Sequence, residues 1–201
     1  MGLVVGDATG KGVPAALVMS TTCGMLQAIS QALDSSSSAP GEVLSRVNET
    51  LLSRIPPNMF VTCFYAVLEP RSGSLTYANA GHDLPYARRG GDCEELRARG
   101  MPLGLMPVSS YEEKEVVLER DDSALFYSDG LVEAHDPKGE MFGFPRLREL
   151  VAGHGEEGSL GDFLLEELHS FVGEGWDQED DITLLTLRRS AARNWPSKTT
   201  P

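Results

Sequence analysis

Acidic side chains stand at the ends of three apolar segments that are far apart in the sequence. Asp7 follows one such segment, Asp129 follows another, and the pair Asp180-Asp181 comes just before a third. Acids where strands begin or end can converge at one edge of a sheet. Carboxylates without neighbouring Cys or closely spaced His favour hard cations such as Mg²⁺ or Mn²⁺ over zinc. Such ions activate water and stabilise the oxygens of a phosphoryl displacement, so this pattern predicts metal-dependent phosphoryl chemistry.

Each acidic position also has a simpler interpretation. Asp7 and Asp129 each adjoin a glycine, which is typical of turns. Asp180 or Asp181 could keep the edge of a strand soluble. The occurrence of all three at strand ends favours the functional interpretation.

The glycine-rich run after Asp7 is not a P-loop. That motif requires a glycine at the place of Val5 and a serine or threonine at the place of Gly12. The sequence therefore gives no sign of a nucleotide-binding loop.

The elements that position these acids follow the order of an α+β fold. The residue pattern predicts helices at 13–33, 41–55, 144–152 and 160–172, and strands at 3–7 (the apolar stretch 3–5 ending in Asp7), 60–69, 74–80, 85–88, 94–97, 111–119, 123–127 and 182–187. Two helices, then antiparallel strands, then helices and a strand indicate α+β layers and not a doubly wound sheet. The core face of the first helix is expected to contain Ala16, Met19, Cys23, Leu26, Ile29 and Leu33.

Composition excludes several classes of function. The 201 residues suit one domain, and the net charge of −13 argues against nucleic-acid binding. The three cysteines form no CxxC pair, and Cys23 and Cys63 are expected to be buried. No segment was expected to be long and apolar enough to cross a membrane, so the prediction is a cytoplasmic protein with no membrane contact.

Five blocks, in the right order, resemble bacterial serine phosphatases of the stage II sporulation protein E type, which are 2C-type metal-dependent phosphatases. The resemblance covers residues 3–188. The blocks are the run 6–16 around Asp7, Phe60-Val61-Thr62, Asn79-Ala80-Gly81-His82 with Pro102-Leu103-Gly104, the run 127–134 around Asp129, and Asp180-Asp181-Ile182-Thr183.

The resemblance implies an α/β/β/α sandwich of two antiparallel sheets, with two Mn²⁺ or Mg²⁺ ions at one end. Asp7 would bridge both metals, the carbonyl of Ala8 would be a further ligand, and Asp129 and Asp180 would complete the first metal. Near these ligands the resemblance places Asp181, Gly130, Glu133 and His82. His82 is expected to be structural, with a role at the site as the alternative. Lys11 either attracts a phosphate or is an ordinary solvated lysine.

The chain departs from the family pattern at its start. Family members carry a hairpin with a further metal-supporting acid before the strand of Asp7. Residues 1–188 are therefore expected to form a phosphatase-like domain that lacks its first one or two strands, with a doubtful second metal site. Residues 189–201 are expected to be a basic flexible tail, and a sensory domain is possible upstream.

The function implied is a protein serine/threonine phosphatase that uses metal-activated water on a phosphoserine or phosphothreonine protein. In this family such a protein is typically an anti-sigma-factor antagonist. One alternative is a degenerate, non-catalytic module that binds a partner, favoured by the missing acid. Another is a divalent-cation hydrolase of small phosphoesters.

Overall fold

A computed structural model describes residues 1–32, 39–107, 110–155, 158–176, 178 and 180–190. It contains eight strands and four α-helices within these residues. The strands are β1 (Gly2–Ala8), β2 (Val61–Leu68), β3 (Ser74–Ala80), β4 (Tyr86–Arg89), β5 (Asp92–Glu95), β6 (Glu113–Val117), β7 (Ser123–Tyr127) and β8 (Leu184–Arg188). The helices are α1 (Val13–Ala32), α2 (Pro40–Leu51), α3 (Phe144–Gly153) and α4 (Leu160–Val172), with a short 3₁₀ helix at Asp129–Leu131.

The strands form two antiparallel sheets of four strands each. The first sheet has the order β1-β2-β3-β6, and the second has the order β5-β4-β7-β8. Both faces of β2 are apolar because each packs against another layer. Cys63 and Tyr65 pack towards α1 and α2, whereas Phe64 and Ala66 pack towards the second sheet. In β7, Leu125 and Tyr127 pack towards α3 and α4. The layers are therefore helices, sheet, sheet and helices, as predicted.

Most predicted elements are present, and the buried face of α1 was predicted in part: Leu26 is buried, and Met19 and Ile29 pack against the same core. The helix buries Val18, Thr22 and Leu26, whereas Ala16 and Cys23 face solvent. Small residues recur all round this helix, so the helical period alone did not determine its buried side. Leu33 lies outside the described residues, as does most of the predicted tail, 189–201. Cys63 is buried as expected.

Helix α1 also corrects the expectation about membrane-spanning segments. Its 20 residues are long and apolar enough, by length and composition, to cross a membrane. A helix of a soluble protein can pass the same test, so this is weak evidence. The cytoplasmic location stays a prediction.

Candidate active site

The structure brings the three predicted acidic segments to the same end of the two sheets. Asp7 lies near the end of β1, where it pairs with Thr62 at the start of β2. Asp129 opens the 3₁₀ helix directly after β7, and Asp180 and Asp181 precede β8. Because β7 and β8 are antiparallel neighbours, the end of one meets the start of the other. The prediction of convergence from the strand pattern therefore agrees with the observed topology.

Each of the three proposed ligand carboxylates is oriented by the amide that follows it. The Asp129 Oδ1 atom accepts a hydrogen bond from Gly130 N at 2.9 Å, and Asp180 Oδ1 accepts one from Asp181 N at 2.8 Å. The Asp7 carboxylate likewise interacts with the backbone N–H of Ala8. These contacts restrict the orientation of each side chain.

The negative charges of the other acids affect the pKa of Asp7. Burial raises the pKa of Asp7, and the negative charges of Asp129, Asp180 and Asp181 raise it further, against the lowering effect of the Ala8 amide. A divalent cation among these carboxylates would relieve the repulsion. The donor set, all oxygen, therefore fits Mg²⁺ or Mn²⁺ by its chemistry. In the described part of the chain, however, no three His, Cys, Asp or Glu side chains form a ready metal cluster.

Ser128 joins the segment of Asp129 to the segment of Asp180. Its hydroxyl donates to the carbonyl of Asp181 at 2.9 Å and accepts from the amide of Thr183 at 2.9 Å. Its own amide donates to the Thr183 carbonyl at 3.1 Å. The relative position of the two acidic segments is thus fixed by three hydrogen bonds to one buried serine. The sequence analysis assigned no role to Ser128, which it included only within the run 127–134.

Gly130 is required because the second acidic segment packs directly against its backbone. A Cβ atom at this position would lie 2.6 Å from the carbonyl oxygen of Asp181 and 3.4 Å from the carbonyl carbon of Asp180. Gly130 is buried, and its backbone angles are those of a short helix. Its role near the acids is therefore steric, since the missing side chain lets two backbones approach.

His82 connects the two sheets beneath the acids. Its Nε2 atom lies 3.1 Å from the carbonyl oxygen of Tyr127, and its Nδ1 atom lies 2.9 Å from the hydroxyl of Thr62. A carbonyl only accepts, so Nε2 carries the proton and Nδ1 accepts from Thr62. Burial lowers the pKa of His82, more than its bond to Tyr127 and the charge of Asp129 raise it. The neutral ring therefore holds β2, the neighbour of the strand of Asp7, close to the end of β7, which directly precedes the segment of Asp129.

Replacing His82 by alanine is expected to lower the free energy of unfolding by about 2–3 kcal/mol, because the Thr62 hydroxyl and the Tyr127 carbonyl lose their buried partner. His82→Gln is expected to recover part of this loss, since an amide both donates and accepts. Urea unfolding of the three proteins measures the difference. Equal destabilisation by alanine and glutamine would contradict the bridging role.

Asp83 is a fourth acid near the site that the sequence analysis missed. Its Oδ2 atom is buried and has no hydrogen-bond partner among the described residues. Burial raises the pKa of Asp83 to about 6, and the charges of Asp129 and Glu133 contribute. The signal that could have revealed it is its place directly after His82, in the turn that follows β3.

The shifted pKa of Asp83 makes stability depend on pH. The unfolded carboxyl titrates near 4 and the folded one at about 6, so the folded state binds more protons between these values and its stability falls as pH rises through them. At about pH 7.5, Asp83→Asn is expected to raise the free energy of unfolding by about 1 kcal/mol, a figure reduced for partial exposure.

At about pH 4, where the folded carboxyl is protonated and the unfolded one is about half protonated, Asp83→Asn is expected to change stability little. Urea unfolding with a chelator present, at both pH values, measures this. The exposed Asp92 of β5 offers the matched control, Asp92→Asn. A stabilisation that is the same at both pH values would contradict the assignment.

An open cleft of about 950 Å³ begins at the acids. Asp7, Asp180 and Asp181 line it on one side, and the glycine-rich loop and the first turns of α1 line the other. A second cleft, lined by Glu133, Trp176, Lys11 and Asp180 among others, adjoins it. Lys11 and Asp180 line both clefts, so a ligand at the acids can extend in two directions.

Two antiparallel sheets between pairs of helices, with carboxylates gathered at one end, place the protein in the class of 2C-type metal-dependent phosphatase folds. A solved structure of the SiaA 2C-type phosphatase domain of Pseudomonas aeruginosa superposes with a TM-score of 0.79 at 24% identity, over 93% of this chain and 74% of that one. The chain belongs to the stage II sporulation protein E (SpoIIE) family, whose model matches residues 1–190. The resemblance noted from the sequence is confirmed.

Among curated proteins, the chain is 29% identical to the phosphoserine phosphatase RsbU of Bacillus subtilis over 191 residues, which are 93% of this chain and 55% of that protein. A structure of RsbU and RsbW domains from Mycobacterium tuberculosis matches with 28% identity and a TM-score of 0.75, over 96% of this chain and 52% of that one. The chain thus spans about half the length of RsbU.

Proposed function

We propose that the chain is a protein serine/threonine phosphatase domain that uses Mn²⁺ or Mg²⁺. The convergence of Asp7, Asp129 and Asp180 at one end of the sheets, in a member of this family, is the observation that carries the proposal. The homology to a phosphoserine phosphatase over 93% of the chain supports it.

Asp7, Asp129 and Asp180 would hold the cation, with the carbonyl of Ala8 as a further ligand. When bound, the ion would supply a Lewis acid and an activated water for attack on a phosphoester. Under this proposal, the described carboxylates would provide ligands for one such ion. A second ion, and the upstream strands and acid that would support it, stay predictions from the resemblance.

The remaining residues of the site would position the substrate and the ligands. The backbone of Asp181 connects Asp180 to Ser128, so Asp181 acts on the site through its neighbour. Glu133 lines the second cleft and faces solvent. Lys11, where the two clefts meet, would place a positive charge near an incoming phosphate. Clefts that are open on this scale suit a phosphorylated segment of a protein better than a small enclosed metabolite.

The proposed substrate is a phosphorylated protein, and the similarity to the phosphoserine phosphatase RsbU supports this. By the resemblance described above, we propose an anti-sigma-factor antagonist as that protein. Phosphate release from a phosphoserine peptide, with Mn²⁺ and with chelator, tests the activity. Hydrolysis that requires Mn²⁺ supports the proposal. No release under either condition, together with no Mn²⁺ binding by calorimetry, would favour the non-catalytic module.

The second alternative, a hydrolase of small phosphoesters, is separated by the choice of substrate. Under the proposal, the phosphoserine peptide is hydrolysed with a higher kcat/KM than p-nitrophenyl phosphate, because its flanking residues contact the two clefts. A preference for the small ester would contradict a protein substrate.

A further inference from the structure

A pocket with basic side chains lies on the second sheet, at the opposite end from the acids. Arg88 of β4 is in register with Ser123 of β7, which is in register with Arg188 of β8. Side chains in register on adjacent strands project from the same face, with about 5 Å between strands. That face is the helix side, because Ala124 and Leu187, the sequence neighbours of Ser123 and Arg188, pack between the sheets. Two arginines therefore flank one serine.

The first turn of α4 closes this pocket. The amide of Asp162 donates to the Ser159 hydroxyl, whereas the amides of Leu160 and Gly161 have no acceptor within the described part of the chain. Gly161 lies close to Thr186 of β8: a Cβ atom on the glycine would be 3.8 Å from Thr186 Cγ2. The start of the helix is thus held over the strand that carries Arg188, and the enclosed volume is about 100 Å³.

The described residues that line the pocket include two arginines, Arg88 and Arg188, and one acid, Asp121. Arg188 pairs with Asp121 at 3.7 Å, but the Nε atom of Arg88 is buried without a hydrogen-bond partner among the described residues. His154 also lines the pocket. Burial lowers the pKa of His154, and the positive charges of Arg88 and Arg188 lower it further. Three kinds of donor at this pocket have no anionic acceptor among the described residues. They are the buried Nε atom of Arg88, the amides of Leu160 and Gly161, and the hydroxyl of Ser123.

We propose that this pocket binds a phosphate group, held by Arg88, the Ser123 hydroxyl and the first amides of α4. A guanidinium and a helix N-terminus are the two protein groups best suited to a phosphate oxygen. The volume of about 100 Å³ exceeds that of one water, about 30 Å³, by enough for one tetrahedral anion and little else. The phosphate is either free or carried by a phosphorylated protein.

The site is separate from the proposed catalytic centre and does not depend on its activity. Ser123 and Tyr127 are the two ends of β7, which puts the pocket about 13 Å from the end that carries Asp129. Phosphate bound here would lie away from Asp7, Asp129 and Asp180, and the one acid that lines the pocket, Asp121, pairs with Arg188.

Histidine resonances in NMR spectra, recorded with a chelator and at matched ionic strength, test the proposal. Inorganic phosphate is expected to raise the pKa of His154, because an anion offsets the two arginines, and to raise Tm by about 3–6 °C at ten times Kd. Arg88→Met is expected to weaken binding at least tenfold. Arg46→Met, on the exposed face of α2, is the matched control and is expected to bind like the unmodified protein.

Ser123→Ala, a smaller change at the centre of the pocket, is expected to weaken phosphate binding about three- to tenfold. It keeps the test valid if Arg88→Met does not fold. Two results would overturn the proposal: an unchanged pKa of His154 at about 20 mM phosphate, or an unchanged affinity for phosphate in both Arg88→Met and Ser123→Ala. A phosphoserine peptide in the same titration separates the two sources: tighter binding than free phosphate assigns the pocket to a phosphorylated protein, and weaker binding assigns it to free phosphate.

Discussion

Asp129→Asn and Asp180→Asn are each expected to reduce Mn²⁺-dependent phosphate release by about a thousandfold. The substitution removes a negative charge from the group that would hold the cation, and a loss of about 4 kcal/mol of transition-state stabilisation corresponds to this factor. Asp7→Asn is expected to have an effect of similar size, since the charges of Asp129 and Asp180 act on its carboxylate. Phosphate release from the phosphoserine peptide, measured over a range of Mn²⁺ concentrations, gives the rates.

Two further substitutions make this result specific. Asp92→Asn removes the same charge from an exposed position in β5, and its rate is expected to equal that of the unmodified protein. Asp181→Asn keeps the backbone bonds to Asp180 and Ser128. The rate of phosphate release is therefore expected to fall less than in the ligand variants, by about ten- to a hundredfold. An unchanged rate for Asp129→Asn would remove the metal assignment from this residue.

The fold could be predicted largely because both sheets have strong local patterns. The bounds of β3, β7 and α4 agree with the prediction, since alternation and helical period leave little freedom in these segments. Strand β5 begins two residues earlier than predicted, because Gly90 and Gly91 form a tight turn that returns the chain at once. The buried side of α1 was predicted only in part: Leu26 packs into the core as expected, but Cys23 is exposed, because the exact face depends on how the helix meets the sheet.

In the site, too, some residues could be predicted from the sequence and others could not. The acids at strand ends were recognisable because antiparallel pairing brings such ends together. Asp83 was not, because its raised pKa depends on burial by segments that are distant in sequence. Ser128 was missed for the same reason: its partners Asp181 and Thr183 lie more than 50 residues away. Sequence patterns thus reveal the acids that could bind a ligand, but they do not reveal the residues that hold those acids in place.

Gly130→Ala is expected to lower the phosphatase rate by about ten- to a hundredfold and the free energy of unfolding by about 1–3 kcal/mol. The added Cβ atom would lie 2.6 Å from the carbonyl oxygen of Asp181, a distance that real Cβ atoms do not tolerate. The backbone of Asp180 and Asp181 must therefore move away. Because the Asp180 carboxylate moves with its backbone, a substitution that adds one methyl group and no charge disturbs a proposed metal ligand.

Gly153→Ala is the matched control, since it adds the same methyl group at the end of α3, where nothing lies within 4 Å. It is expected to leave the rate unchanged and to raise helix stability by less than about 1 kcal/mol. Calorimetric titration with Mn²⁺ separates the cause: Gly130→Ala is expected to bind the ion more weakly, whereas Gly153→Ala is not. Normal Mn²⁺ binding with a reduced rate in Gly130→Ala would show that this contact positions the substrate and not Asp180.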